Sequence, residues 1–288
     1  MTGEARSEAL RRLIDARDWA GFADLCRETA FDGTADLSGT ALRQADLTGA
    51  FLSSLILREA DFEGASLSGA VIAMSDLSGA HLASANLAGA EISNSNLSGA
   101  NLRGAVIEKA GLMSVNLDRA DLRAANLRDL SGEEIRGCEA DLTAADLSGA
   151  DLRKGEFGGA NFNQANLENA VLHGIDLRAA RFQGSRGLAA SLTRCDMREA
   201  DLCESNFSQA SLASVDLSGA RLRGAGLEMT RFGGSCLVNA DLGGAVLKQA
   251  DLRGTDLTGA SLKGADLTGV LHNGQTRWPE GFVPPTRP

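Results

Sequence analysis

Tyrosine is absent from this 288-residue chain, aromatic residues make up only 4% of it, and its four prolines all lie within the last ten positions. A core without large aromatic anchors has to be built from small aliphatic side chains in a regular arrangement. With 43% of the residues hydrophobic, enough apolar surface is available to fold, which excludes wholesale disorder. Long hydrophobic runs are missing too, and no stretch approaches the ~20 residues that would span a bilayer. The opening MTGEARSEAL has early acids and no apolar segment of the secretory type, so the expected location is cytoplasmic. Histidines are scarce and scattered (His81, His173, His272), and the five cysteines, Cys26, Cys138, Cys195, Cys203 and Cys236, form no CxxC pair. Zinc needs closely spaced soft ligands, so free thiols in a reducing compartment are expected, with no metal and no cofactor.

Basic residues are also in deficit, 28 against 38 acids, for a net charge of −10. Neither counterion release nor attraction to anionic lipid favours such a chain, so no direct nucleic-acid binding and no membrane partner are expected.

What the sequence does contain is a period. From Leu37 to Leu267 every fifth residue is Leu, Ile, Phe or Met, apart from Gly132, Gly137 and Gly187. Two positions earlier stands a small residue, usually Ala, and between the two most often Asp or Asn, as in Ala45-Asp46-Leu47 and Ala85-Asn86-Leu87. A helix cannot use this spacing, because five residues advance it by about 500° and smear the Leu stripe around the cylinder. An extended triplet can, with the small residue and Leu inward, Asp or Asn outward, and two residues turning the corner.

These residues closely resemble the pentapeptide-repeat family over about four-fifths of the chain. The resemblance implies an all-β fold, a right-handed quadrilateral parallel β-helix of about twelve coils with four pentapeptides per coil. A twenty-residue super-period is then expected, and the sequence supplies an independent test. From Leu55 onward one inward column, Leu55, Ser75, Ser95, Val115, Ile135, Gly155, Ile175, Cys195, Val215, Ser235 and Thr255, contains no Ala, whereas the other three columns are overwhelmingly Ala.

Three segments are expected: residues 1–33 as an N-terminal helical cap, 34–270 as the β-helix, and 271–288 as an irregular capping tail. In the cap, Ala9, Leu10, Leu13 and Ile14 would line one short amphipathic helix and Trp19, Phe22, Leu25 and Cys26 a second, with Asp18 as its N-cap. Exposed coil edges invite end-to-end pairing, so both ends need covers. Trp278 and Phe282 would anchor the tail, and similar tails close some family members. The amphipathic C-terminal helix that makes the dimer in some relatives is missing here, so a monomer is expected.

Residues 128–140 break the pattern. Leu130 and Ile135 occupy small inward positions where Gly132 and Gly137 occupy large ones, which conserves volume. Either this segment is an in-register coil or it is a projecting loop carrying Glu133 and Glu134. A smaller disturbance surrounds Gly187.

Catalysis needs convergent mixed groups in a concave site, whereas the inward positions here are apolar or small and the faces nearly flat, so no enzyme is expected. Charge, however, divides unevenly. Folded by twenty, the face containing Asp36 carries eleven acids and five bases; the next is neutral, the third slightly acidic, and the fourth has five of each. Asp76, Asp118, Glu156, Asp176, Asp196, Asp216 and Asp256 form the candidate acidic docking face. Their Asp side chains could simply bond local backbone amides in a solvated face, or they could form a strip for a basic groove. The family's quinolone-resistance members look like rods of DNA and bind bacterial type II topoisomerases. The resemblance thus implies a non-enzymatic macromolecule-binding rod, a DNA mimic that binds or protects DNA gyrase or topoisomerase IV and confers resistance to an antibiotic aimed at them. The alternative is a structural scaffold or regulatory adaptor, with the rod as spacer and the N-terminal cap as the partner-binding element.

Overall fold

The computed structural model describes residues 2–27 and 34–286, which fall into two compact units, Met1–Asp141 and Leu142–Pro288. The boundary expected near residue 33 and the last two residues of the tail lie outside the described residues. The chain is a parallel β-solenoid preceded by two short helices.

Each repeat is a short extended triplet followed by a turn. At Ala45–Leu47 the Ala and Leu side chains are fully buried and Asp46 points to solvent. Gly49 then takes φ +64, and Ala50 N–H closes the turn on the Leu47 carbonyl at 3.0 Å. A positive φ at the third turn residue is the type II geometry that Gly adopts without steric cost. Neighbouring coils pair through the main chain: Leu47 donates to the Ser66 carbonyl at 2.8 Å and Ser66 to the Ala45 carbonyl at 2.8 Å. Pairing recurs at four positions per coil, as in Ala41 with Asp61, Asp46 with Ser66, Phe51 with Val71 and Ile56 with Asp76.

Unit 1 contains helices α1 (Gly3–Asp15) and α2 (Trp19–Arg27), the strand pair β1 (Ala35–Asp36) and β2 (Leu55–Ile56), and four strands on another face: β3 (Val71–Ala73), β4 (Glu91–Ser93), β5 (Gly111–Met113) and β6 (Ser131–Glu133). Unit 2 contains β7 (Asp151–Arg153) paired with β8 (Val171–His173), and single bridges at the same spacing continue from Val171 to Leu271. Regular strands mark about seven turns, fewer than the twelve coils expected, because the other pairings are single bridges rather than runs of two or three residues.

The helices cover the first coil. Asp18 caps α2 as expected, accepting from Gly21 N–H at 2.9 Å, and Leu10, Ile14, Phe22 and Cys26 are buried; Ala9, Leu13, Trp19 and Leu25 are only half-buried. Two polar residues of α1 complete the job. Ser7 Oγ accepts the Asp36 N–H at 2.8 Å, and Arg11 Nη2 donates to the Asp36 and Ser38 carbonyls at 3.1 and 3.4 Å. In later coils the equivalent bonds come from the preceding coil, so these two side chains stand in for a coil that does not exist. In unit 2, Thr276 Oγ1 donates to the Leu252 carbonyl at 2.8 Å, Trp278 stacks on Phe282 at 5.2 Å, and His272 Nε2 contacts the Pro285 carbonyl at 3.0 Å. Among the described residues no helix is long and apolar enough to cross a membrane.

Candidate docking face

The Asp or Asn at the outward position is held the same way in coil after coil. Its Oδ1 accepts the N–H two residues on: Ser78 for Asp76, Arg178 for Asp176, Arg198 for Asp196, Ser218 for Asp216 and Thr258 for Asp256, all between 3.0 and 3.3 Å. Asn86 and Asn96 make the identical bond. The side chain thereby satisfies a turn amide, which explains why the repeat accepts Asp and Asn alike.

The second carboxylate oxygen reaches a base. In unit 1, Arg58 Nε lies 2.6 Å from Asp76 Oδ2, and Asn96 Nδ2 donates to Asp76 Oδ1 at 3.2 Å. Asp118 takes Arg136 Nη2 at 3.0 Å and the Cys138 N–H at 2.9 Å, within a shallow groove of about 620 Å³ that Arg119 and Glu139 also line. In unit 2, Asp176, Asp196 and Asp216 pair in register on successive coils with arginines interleaved. Arg178 lies 2.6 Å from Asp176 and 3.8 Å from Asp196; Arg198 lies 2.6 Å from Asp196 and 3.8 Å from Asp216. Asp256 meets Arg277 from the tail at 3.1 Å. Glu156 is exposed and pairs in register with Asp176.

These contacts set the acidities. Bonds from the Arg178 side chain hold Asp176 below the usual carboxylate range, and those from Arg198 do the same for Asp196. Burial pushes Asp76 upward, but the bonds from Arg58 and Ser78 outweigh it and the net shift is down. For Asp256 the Thr258 hydroxyl is the main cause of a lowered value. Asp76 and Asp118 lie in unit 1, on coils joined by the Asp76–Asn96–Asn116 pairing, and in unit 2 Glu156, Asp176, Asp196, Asp216 and Asp256 share one register. The interleaved arginines Arg178 and Arg198 spread the charge of the Asp row rather than leaving it as bare carboxylates. Arg178 and Arg198 were legible as partners two residues from an Asp. Arg58 and Arg136 were not, although each stands eighteen residues from its carboxylate, the spacing of adjacent coils.

Residues 128–140 run in register. Ser131–Glu133 is strand β6, with Gly111 opposite Ser131, Leu112 opposite Gly132 and Met113 opposite Glu133. Leu130 and Ile135 are each only 2% exposed, so the exchanged large and small positions refill the core and leave nothing to project. Glu133 therefore sits on a strand, and Glu134 occupies a turn at φ +55 with its Oε2 3.0 Å from Ser114 Oγ. The projecting-loop alternative is corrected accordingly. Gly187 has a similar origin: a Cβ there would lie 2.2 Å from the Phe207 ring, which fills the space one coil on.

None of the five cysteines forms a disulfide among the described residues. Burial pushes Cys26 up to about 12 and Cys195 up to about 11, and it also raises Cys203, leaving none of the three primed as a nucleophile. Among the described residues no group of His, Cys, Asp and Glu could hold a metal ion.

No match is found among curated proteins. Among solved structures, the chain is similar to HetL, a pentapeptide repeat protein involved in heterocyst differentiation regulation from the cyanobacterium Nostoc sp. strain PCC 7120. That likeness has 29% identity over 81% of this chain and 90% of HetL, with a TM-score of 0.34. A trypsin-treated form of QnrB1, a plasmid-mediated fluoroquinolone resistance protein, is 25% identical over 57% of this chain and 92% of its own, also at 0.34. Scores this low leave both likenesses without weight for function. The family model for pentapeptide repeats, in contrast, matches in eight copies, over residues 35–72, 75–112, 90–129, 116–154, 156–186, 190–228 and 235–271. Those matches cover the same residues whose five-residue period builds the coils, and the chain belongs to the pentapeptide-repeat family.

Proposed function

We propose that this chain is a non-enzymatic protein-binding solenoid whose partner docks on the acidic face, and that the partner is a bacterial type II topoisomerase, DNA gyrase or topoisomerase IV. The observation that carries the reading is the Asp176–Arg178–Asp196–Arg198–Asp216 ladder, in which each Asp is tied to its own turn amide and the arginines bridge successive coils. Side chains already immobilised lose little further freedom on binding, so a basic groove meets a preorganised row of carboxylates. Duplex DNA carries about one charge per 1.7 Å, whereas this ladder offers one Asp per coil, about 4.8 Å, partly offset by arginine. Mimicry of DNA would therefore rest on shape and spacing more than on charge density. A protective action against topoisomerase-directed antibiotics follows from the same docking. On the adaptor reading a partner would have to use cap residues other than Ser7 and Arg11, which are engaged with the first coil.

The test is binding to purified gyrase and topoisomerase IV across a salt series. Beside the wild type runs a variant carrying Asp176→Asn, Asp196→Asn and Asp216→Asn, which keeps the turn acceptor that Asn86 and Asn96 already supply. Salt-sensitive binding that weakens at least about tenfold in the variant is expected. Absence of wild-type binding at low salt removes topoisomerases as the partner.

A further inference from the structure

The fourth face is neutral when summed over the whole repeat, but its charges are segregated. In unit 1 the repeats of this face bear Glu91, Glu133 and Glu134 and no Lys or Arg, and Arg27 of α2 lies 6.0 Å over the Phe51 ring at its edge. In unit 2 it bears all five of its bases, Arg153, Lys154, Arg194, Arg231 and Arg253. Asp151 and Asp251 hold Arg153 and Arg253 at 2.6 Å, whereas Arg194 and Arg231 are exposed and make no ion pair among the described residues.

The apolar residues divide the same way. On the unit 1 face Phe51, Met74 and Met113 are 44%, 64% and 57% exposed, and the Glu91 carboxylate lies across Gly111 in the space a Cβ would need. On the corresponding unit 2 surface Ser191, Thr193 and Ala213 are half-buried and Ser211 is buried, small side chains that leave it smooth around Arg194. One face is thus knobbed, apolar and acidic; the other is flat and basic. Methionine adapts its shape to whatever it meets, which suits the first to such a surface.

We infer that the β3–β6 face of unit 1 docks on the Ser191–Arg231 face of unit 2 in a second copy of this chain. Phe51, Met74 and Met113 lie against the small side chains, and Glu91 meets Arg194 and Arg231. The contact joins two different surfaces, so each copy offers both halves. The net charge of −10 opposes association at long range, but at about 0.1 M salt it is screened beyond roughly 10 Å while the local pairs persist. A face spanning about four coils at ~4.8 Å is small, and the association is correspondingly weak and reversible. This departs from the monomer expected from the missing C-terminal helix, and it does not depend on any topoisomerase.

Sedimentation equilibrium of the full chain at about 0.1 M salt, from micromolar to millimolar concentration, tests the inference. The apparent mass of the wild type rises above 29.9 kDa with concentration. Two variants at exposed positions, one with Arg194→Glu and Arg231→Glu and the other with Glu91→Arg and Ser131→Arg, each require at least about tenfold higher concentration. Mixing the two restores association, because their altered faces are complementary. A wild type that remains monomeric throughout overturns the inference, as do variants that associate like the wild type or a mixture that stays monomeric.

Discussion

Ser75 shows how one side chain can determine a corner. At most corners the turn amide bonds back three residues, as Ala60 does to Leu57 at 3.1 Å. Leu55 N–H instead donates across the coil to Ser75 Oγ at 3.1 Å, and that hydroxyl donates on to the Leu52 carbonyl at 2.8 Å. Ser75 N–H repeats the arrangement with Ser95, and Val215 N–H does so with Ser235. At Leu55, Ser75 and Val215 the Ala-free column therefore marks a corner with a different turn, where a hydroxyl satisfies an amide that alanine would leave bare, whereas Ser235 and Thr255 bond back three residues to Phe232 and Leu252 at 2.9 and 3.1 Å. Ser75→Ala strands the buried Leu55 N–H and should destabilise the fold by about 1–3 kcal/mol, measured by urea unfolding. A small loss, comparable with that of an exposed serine, would mean the amide finds another partner.

At the scale of elements, α1 is a cap because it supplies main-chain chemistry, not only apolar cover. A coil edge without a neighbour has unpaired amides and carbonyls, a template for aggregation. Ser7 and Arg11 close that edge on β1. Replacing both with alanine should leave α1 helical yet raise hydrogen exchange at Asp36 and in the first coil, with the amides of unit 2 unchanged. Locality follows because each coil of a solenoid touches only its neighbours. Uniform acceleration over both units would show instead that the cap supports the whole chain.

At the scale of the molecule, the repeated Asp bonds make stability a function of pH. Asp76, Asp121, Asp176, Asp196, Asp201, Asp251, Asp256 and Asp266 all have pKa values below the usual carboxylate range. A carboxyl that holds its proton less tightly when folded contributes stability in full above its unfolded value, about 3.9, and loses it as pH falls through the lower folded value. Melting temperature, followed by circular dichroism, should hold steady from about pH 8 to 5 and fall below about pH 4. Changing Asp176 and Asp196 to Asn should flatten the acid limb, since Asn keeps the turn bond without a titrating proton. A limb of unchanged steepness would place the acid sensitivity elsewhere.

The five-residue period determined which side chains face inward, and the Ala-free column determined that the coil has four corners. Both follow from local geometry: an extended triplet alternates its side chains, and a turn after every third residue repeats that choice. The compensated exchange at 128–140 was readable as volume, though whether the segment projected was not. Only the tertiary structure decided which bases meet which acids. Arg58 reaches Asp76 and Arg136 reaches Asp118 across adjacent coils, and Arg277 returns from the tail to Asp256. Likewise the sequence contains Ser7 and Arg11 without revealing that they replace a missing coil. The ion pairs depend on chain stacked about 4.8 Å apart, which brings residues eighteen to twenty-one positions apart into reach, and the cap contacts on α1 docking against β1, neither of which a local pattern encodes.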